Sequence, residues 1–174
     1  MSGNIFFTSD THYYHSNVIR YCNRPFSDVE EMNDNLIANH NELVGRYDTV
    51  FHLGDFAFAR GAEVFRRLNG NKFLIRGNHD KPKLINGIPF GWVKDVYMLK
   101  ISPTERIWLS HYAHRRWPNS HHGAIHLFGH SHGAIDDYGR STDVGVDCWN
   151  FKPVALDEIR DYMKNKEPTK HHEP

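Results

Sequence analysis

The stretch Ile5-Phe6-Phe7-Thr8-Ser9-Asp10-Thr11-His12 reads as a short buried strand, Ile5 to Phe7, whose chain turns polar at its carboxyl end. The same grammar recurs twice in the first half. Thr49 to Leu53 is a β-branched and aromatic run broken by Gly54-Asp55, and Lys72 to Ile75 is broken by Gly77-Asn78-His79-Asp80. Between the strands, Val29, Met32, Leu36, Ile37, Leu43 and Val44 recur at helical spacing, predicting a helix over Asp28 to Val44 with a Ser27 or Asp28 cap and a stop at Gly45. Gly61 to Leu68 is also helix-like. Strand and helix alternate, so the first half should form a mostly parallel sheet.

The second half changes character. Val93 to Ile101, Arg106 to Ser110, Ala124 to Phe128 and Thr142 to Val146 are strand-like without long helices between them, which predicts a second, mixed or antiparallel sheet. Asp157 to Lys164 is expected to close the fold as a helix. The 174 residues therefore read as one domain over residues 1–165, with 166–174 a polar, disordered tail.

Composition narrows the function. Apolar residues at 39% and charged residues at 24% suit a soluble globular protein and exclude general disorder. Lys plus Arg (21) equals Asp plus Glu (21), so no global basic field favours a nucleic-acid partner. Two cysteines, Cys22 and Cys148, make no disulfide framework and point to a reducing compartment; neither a leader nor a membrane span is evident, so a cytoplasmic location is expected. The outlier is histidine, 14 residues, a common metal ligand that titrates near neutral pH.

Five segments put metal-capable side chains at strand ends: Asp10-x-His12, Gly54-Asp55, Gly77-Asn78-His79-Asp80, Ser110-His111 and Gly129-His130-Ser131-His132. Each alone is weak; the five in series point to a two-metal site. Where a strand turns, Asp10 and His12 can converge on one ion, and His130 and His132 on neighbouring ions, while glycines let the backbone turn beside them. Asp55, terminating a central strand, is the natural carboxylate bridge. Carboxylate, imidazole and amide donors suit manganese first, with iron, zinc or nickel as alternatives.

In this order the segments resemble the calcineurin-like metallophosphoesterases over residues 4 to 147. The resemblance implies an α/β four-layer α/β/β/α sandwich, two mixed sheets flanked by helices. It implies one metal held by Asp10, His12, Asp55 and His132, and a second by Asp55, Asn78, His111 and His130. His79 matches the family's catalytic histidine beside the leaving group, with Asp80 placed to orient its ring. The strings FFTSDTHYYHSN, NRPF and EMND are similar to a subgroup of small bacterial and phage phosphoesterases.

Two cations of this kind generate a bridging hydroxide at neutral pH and clamp the phosphoryl oxygens for in-line attack. The family's monoesterases often read G-D-x-x-D-R-G. Here the stretch is Gly54-Asp55-Phe56-Ala57-Phe58-Ala59-Arg60-Gly61, lacking the second Asp and displacing the Arg. The expected activity is therefore hydrolysis of a phosphodiester, of a nucleotide or related small molecule. A phosphomonoesterase, a dinucleoside polyphosphate hydrolase and a silent scaffold on the same fold are the alternatives. Substrate contacts are expected from Arg24, Arg60, His15 and Asn17, with Tyr13, Tyr14, Phe26 and Trp117 as stacking candidates. His40 and His52 read as structural, as do the loop residues His114, His121 and His122; His171 and His172 belong to the tail, and Asp143, Asp147 and Asn150 to turns near the last motif.

Overall fold

A computed structural model describes residues 3–170. The first sheet has the order β4-β3-β2-β1-β9, from β1 (Ile5–Thr8), β2 (Thr49–His52), β3 (Asn71–Ile75), β4 (Val93–Lys94) and β9 (Val154–Ala155). β1 to β4 run parallel and β9 antiparallel to β1. The second sheet is β5 (Val96–Lys100), β6 (Arg106–Ser110), β7 (Ile125–Phe128) and β8 (Ser141–Asp143), antiparallel only at β5. Both sheets are therefore mixed, as expected.

Period-two alternation decides what faces what. Phe7, Phe51, Leu53 and Ile75 point from the first sheet into a core shared with Ile107, Leu109, Ile125 and Leu127 of the second. On the other face, Phe6 and Val50 meet Val44, and Leu74 packs under the helices α1 (Ser16–Tyr21), α2 (Val29–Leu43), α3 (Gly61–Arg67) and α4 (Pro82–Ile85). α5 (Leu156–Met163) inserts Leu156, Ile159 and Met163 at the seam between the sheets. The far face of the second sheet is covered by residues 112–124 with a single 3-10 turn at Ser120–His122; there Trp117 packs on His126.

α2 begins where its cap predicts: Asp28 Oδ1 accepts the Glu31 N–H at 2.8 Å, and Glu31 reaches back to the Ser27 N–H at 2.7 Å. The run Val93 to Ile101, expected as one strand, divides at Asp95, which pairs with Arg76 while the chain leaves the first sheet for the second. β8 stops at Asp143 rather than Val146 because the Asp143 carboxylate turns back onto the Gly145 N–H at 2.7 Å. Within the expected tail, Lys166 pairs with Asp137 and Thr169 is buried. His171 and His172 lie outside the described residues. No described helix is long and apolar enough to cross a membrane, and Cys22 and Cys148 are free thiols.

Candidate metal centre

Every predicted ligand follows the carboxyl end of a strand: β1, β2, β3, β6 or β7. The turns are stitched to one another by backbone bonds, Asp10 N–H to Gly54 O and His12 N–H to Asp55 O, both at 3.0 Å, and Gly129 N–H to His111 O at 2.9 Å. Asp10, His12, Asp55, His130 and His132 all have φ between 48° and 68°. Left-handed backbone at non-glycine residues costs roughly 1–3 kcal/mol each and concentrates at functional sites. Gly54, at φ +107°, allows a close approach: a β-carbon there would strike the His111 ring and the Gly77 backbone.

Two ligand clusters result. Asp10, His12 and His132 form one and Asp55, His111 and His130 the other, each with donor atoms within 4.8 Å of one another. Asp55 lies between them, its Oδ2 3.6 Å from His12 Nε2 and 3.7 Å from His111 Nε2. Its Oδ1 accepts the His79 backbone N–H at 2.9 Å, leaving Oδ2 to face both clusters.

The donor chemistry fits a pair of divalent cations. Asp10 Oδ1 and both His12 ring nitrogens are buried without a hydrogen-bond partner, an arrangement that costs about 1–3 kcal/mol per group unless an ion satisfies it. His111 Nδ1 donates to Leu53 O at 2.8 Å, which fixes the ring with its Nε2 2.9 Å from Asn78 Oδ1 and 3.7 Å from Asp55 Oδ2. Burial drives His12 far below the ordinary imidazole range, with neighbouring His132 and Arg24 adding to it, so the ring is neutral and one of its nitrogens keeps a lone pair free. Burial raises Asp10 to about 7 against the pull of His111 and His132; a bound cation would favour its ionised form.

A second ring of residues fixes the ligands. Burial lowers the pKa of His132, but its 2.6 Å contact with Asp147 Oδ2 and the charge of Asp10 carry it above the ordinary value. Burial would raise Asp147, yet its bonds to His132 and Arg24 leave it depressed. Asp143 Oδ2 accepts from Ser131 Oγ at 2.5 Å and the Gly133 N–H at 3.2 Å, bracing the His130–His132 turn.

Several expectations require correction. Asp80 does not orient His79: its carboxylate accepts the N–H groups of Asp55, Phe56 and Gly77 at 2.7, 2.9 and 2.8 Å and ties two ligand turns together. Arg24 is 4% exposed and cannot reach substrate; it bonds Asp147 and the carbonyls of Thr11 and Asp10. Arg60 is a solvent-facing residue paired with Glu63 and lying over Tyr14. Asn17 sits exposed on α1 and does not line the cleft beside His12. Tyr13 and Trp117 are buried in packing, and Phe26 meets Phe151, so none offers a stacking surface at the centre.

His15 does line that cleft, stacked on Phe58 with ring centroids 3.9 Å apart. Phe58, just beyond the Gly54-Asp55 motif, is a further wall residue that the sequence motifs do not single out. It also touches the rings of His12 and His79, at 5.5 and 4.9 Å. On the opposite side, half-exposed Tyr112 packs on His130 at 4.6 Å.

A family model described as calcineurin-like phosphoesterase matches residues 3–144. An uncharacterized protein of Methanocaldococcus jannaschii is 38% identical over 167 residues, covering 89% of this chain and 88% of the relative. The Gene 66 protein of Mycobacterium phage L5 is 29% identical, covering 93% of this chain and 95% of the relative. Among solved structures, a protein of unknown function from Aquifex aeolicus superposes with a TM-score of 0.73 at 25% identity, over 92% of this chain and 99% of that one.

Proposed function

The chain belongs to the calcineurin-like phosphoesterase family, and from that premise we propose that it hydrolyses a phosphodiester with the help of two divalent cations. The observation that carries this reading is the placement of Asp55, whose single free carboxylate oxygen faces His12 on one side and His111 on the other. Asp10, His12 and His132 would hold one ion with Asp55; Asn78, His111 and His130 would hold the other with it. Manganese is the favoured ion, with iron, zinc or nickel able to use the same oxygen and nitrogen donors. Such a pair supplies Lewis acidity to the phosphoryl oxygens and makes hydroxide accessible at neutral pH.

The chain's own contribution is orientation and proton handling. His79 has its backbone anchored on Asp55 and its ring against Phe58, which holds the imidazole at the cleft beside the centre. From there it donates a proton or a charge-assisted hydrogen bond to the departing oxygen. A diester is favoured over a monoester because the two arginines expected to contact substrate are engaged elsewhere, Arg24 with Asp147 and Arg60 with Glu63. A terminal phosphate carries more charge and would find neither of them.

The test is hydrolysis of bis-p-nitrophenyl phosphate and p-nitrophenyl phosphate by metal-stripped protein with each ion restored. His79→Ala and Asp55→Asn are run in parallel. Metal-dependent turnover of the diester, reduced at least a hundred-fold in both variants, is expected. Preference for the monoester, or full activity in Asp55→Asn, overturns the reading.

A further inference from the structure

Beside His12 and His132 opens a cleft of about 780 Å³, far larger than a phosphoryl group and within the usual range of small-molecule sites. Its wall away from the ligand turns is built from α1 and the turn after β2: Val18, Tyr21, His15 and Phe58. His15 and Phe58 form one slab, 3.9 Å apart and 13° from parallel, and Tyr21 stands edge-on to His15 at 6.4 Å and 70°. Tyr21 is 66% exposed, so its ring is open to the cleft. Arg20 lies 5.4 Å over that ring but does not line the cleft. No described residue lining the cleft is a lysine or arginine.

We propose that this wall recognises the non-reacting ester group of the substrate, and that the group is a neutral planar ring system of the kind nucleoside bases supply. The inference rests on the phosphodiesterase reading and deepens it. A second phosphate placed against Val18, Tyr21 and Phe58 would lose hydration with no lysine or arginine on that wall to replace water, which disfavours polyphosphates there. A flat uncharged ring loses little hydration and gains contact with Tyr21 and His15, the sequence-tolerant stacking by which proteins hold bases. Tyr21 is thus a specificity residue, acting on the bound ester group rather than on the reacting atoms.

The experiment compares two diesters with the same leaving group, thymidine 5′-(p-nitrophenyl phosphate) and methyl p-nitrophenyl phosphate, on manganese-loaded protein. In each, water adds at phosphorus and the P–O bond to p-nitrophenol breaks, leaving thymidine 5′-phosphate or methyl phosphate. Binding of those two products is measured alongside by calorimetry. Wild type is expected to favour the thymidine ester at least ten-fold in kcat/KM, through KM, and to bind thymidine 5′-phosphate correspondingly tighter. Tyr21→Ala should bring both ratios close to one, and Tyr21→Phe should keep them. Equal ratios in wild type, or ratios that survive in Tyr21→Ala and His15→Ala, overturn the proposal. Binding preference without hydrolysis of either diester would uphold the wall and overturn the phosphodiesterase reading; hydrolysis without either preference would do the reverse.

Discussion

Arg24 and Asp147, separated by 123 positions, form a bidentate ion pair, with Nε on Oδ1 and Nη2 on Oδ2, both at 2.8 Å. The same Asp147 Oδ2 contacts His132 Nδ1 at 2.6 Å. Arg24 also donates to Thr11 O at 3.1 Å and Asp10 O at 2.7 Å, so one guanidinium joins the turn after β1 to the segment that orients His132. Arg24, expected from the sequence to contact substrate, is an internal brace.

Arg24→Lys should therefore fail to substitute. Lysine keeps the charge but cannot fork onto both carboxylate oxygens while reaching two carbonyls. Leaving Asp147 without its partner in a buried setting is expected to cost about 3–5 kcal/mol. Urea denaturation of the metal-free protein checks this, and a loss under 1 kcal/mol would show that the pair is not needed for folding.

Asp147→Asn tests the link to His132. The wild-type contact holds Nδ1 as the protonated nitrogen and turns Nε2 toward Asp10 and His12. The amide accepts more weakly and brings a competing donor. Affinity for the ion bound by Asp10, His12 and His132 should fall about 10–100-fold. Manganese titration calorimetry reads that loss as one weakened site; two unchanged sites would contradict it.

Asp80→Ala should act on folding. Three N–H groups of the turns carrying Asp55 and Gly77 would lose their acceptor inside the protein, for an expected cost of about 2–4 kcal/mol. Were Asp80 instead a partner of the His79 ring, the variant would move the pH profile of turnover. The expectation is a lowered melting temperature with the profile of the surviving activity unshifted.

The clustering of the candidate ligands was legible because its signal is local. A strand that buries Phe7 or Leu53 and then turns through Ser9-Asp10 or Gly54-Asp55 announces a polar strand end within a few residues. Parallel pairing of β1, β2 and β3 brings such ends together without further information. What escaped depends on distance in the chain: nothing near Arg24 reveals an acceptor at Asp147, and nothing near Asp80 reveals the N–H groups of Asp55 and Phe56. Aromatic residues misled for a related reason. Tyr13 and Trp117 resemble stacking surfaces until helices and loops cover them, whereas Phe58 gains its place only once His15, His12 and His79 converge on it. The division of Val93 to Ile101 was invisible because a strand that changes sheets keeps its β propensity throughout.

Three histidines outside the ligand set give the fold an acid limit. Burial holds His40 and His126 at about 4 and His52 at about 3, against about 6.5 in an unfolded chain. For two of them the bonds need a neutral ring: His126 Nε2 accepts the His114 N–H at 2.9 Å, and His52 Nδ1 accepts the Gly54 N–H at 3.2 Å. Between pH 6.5 and 4 the unfolded state binds protons that the folded state refuses, so stability is complete above 6.5 and falls as pH drops through this window. His40 is the clean probe, since it lies on α2 and donates from Nε2 to Asn69 O at 3.0 Å, a bond glutamine can imitate. In His40→Gln the slope of unfolding free energy against pH should decrease by about 1.4 kcal/mol per pH unit between 6 and 4.5. Urea melts of the metal-free protein across that range measure it; an unchanged slope would mean that His40 takes up a proton in the folded state as readily as in the unfolded one.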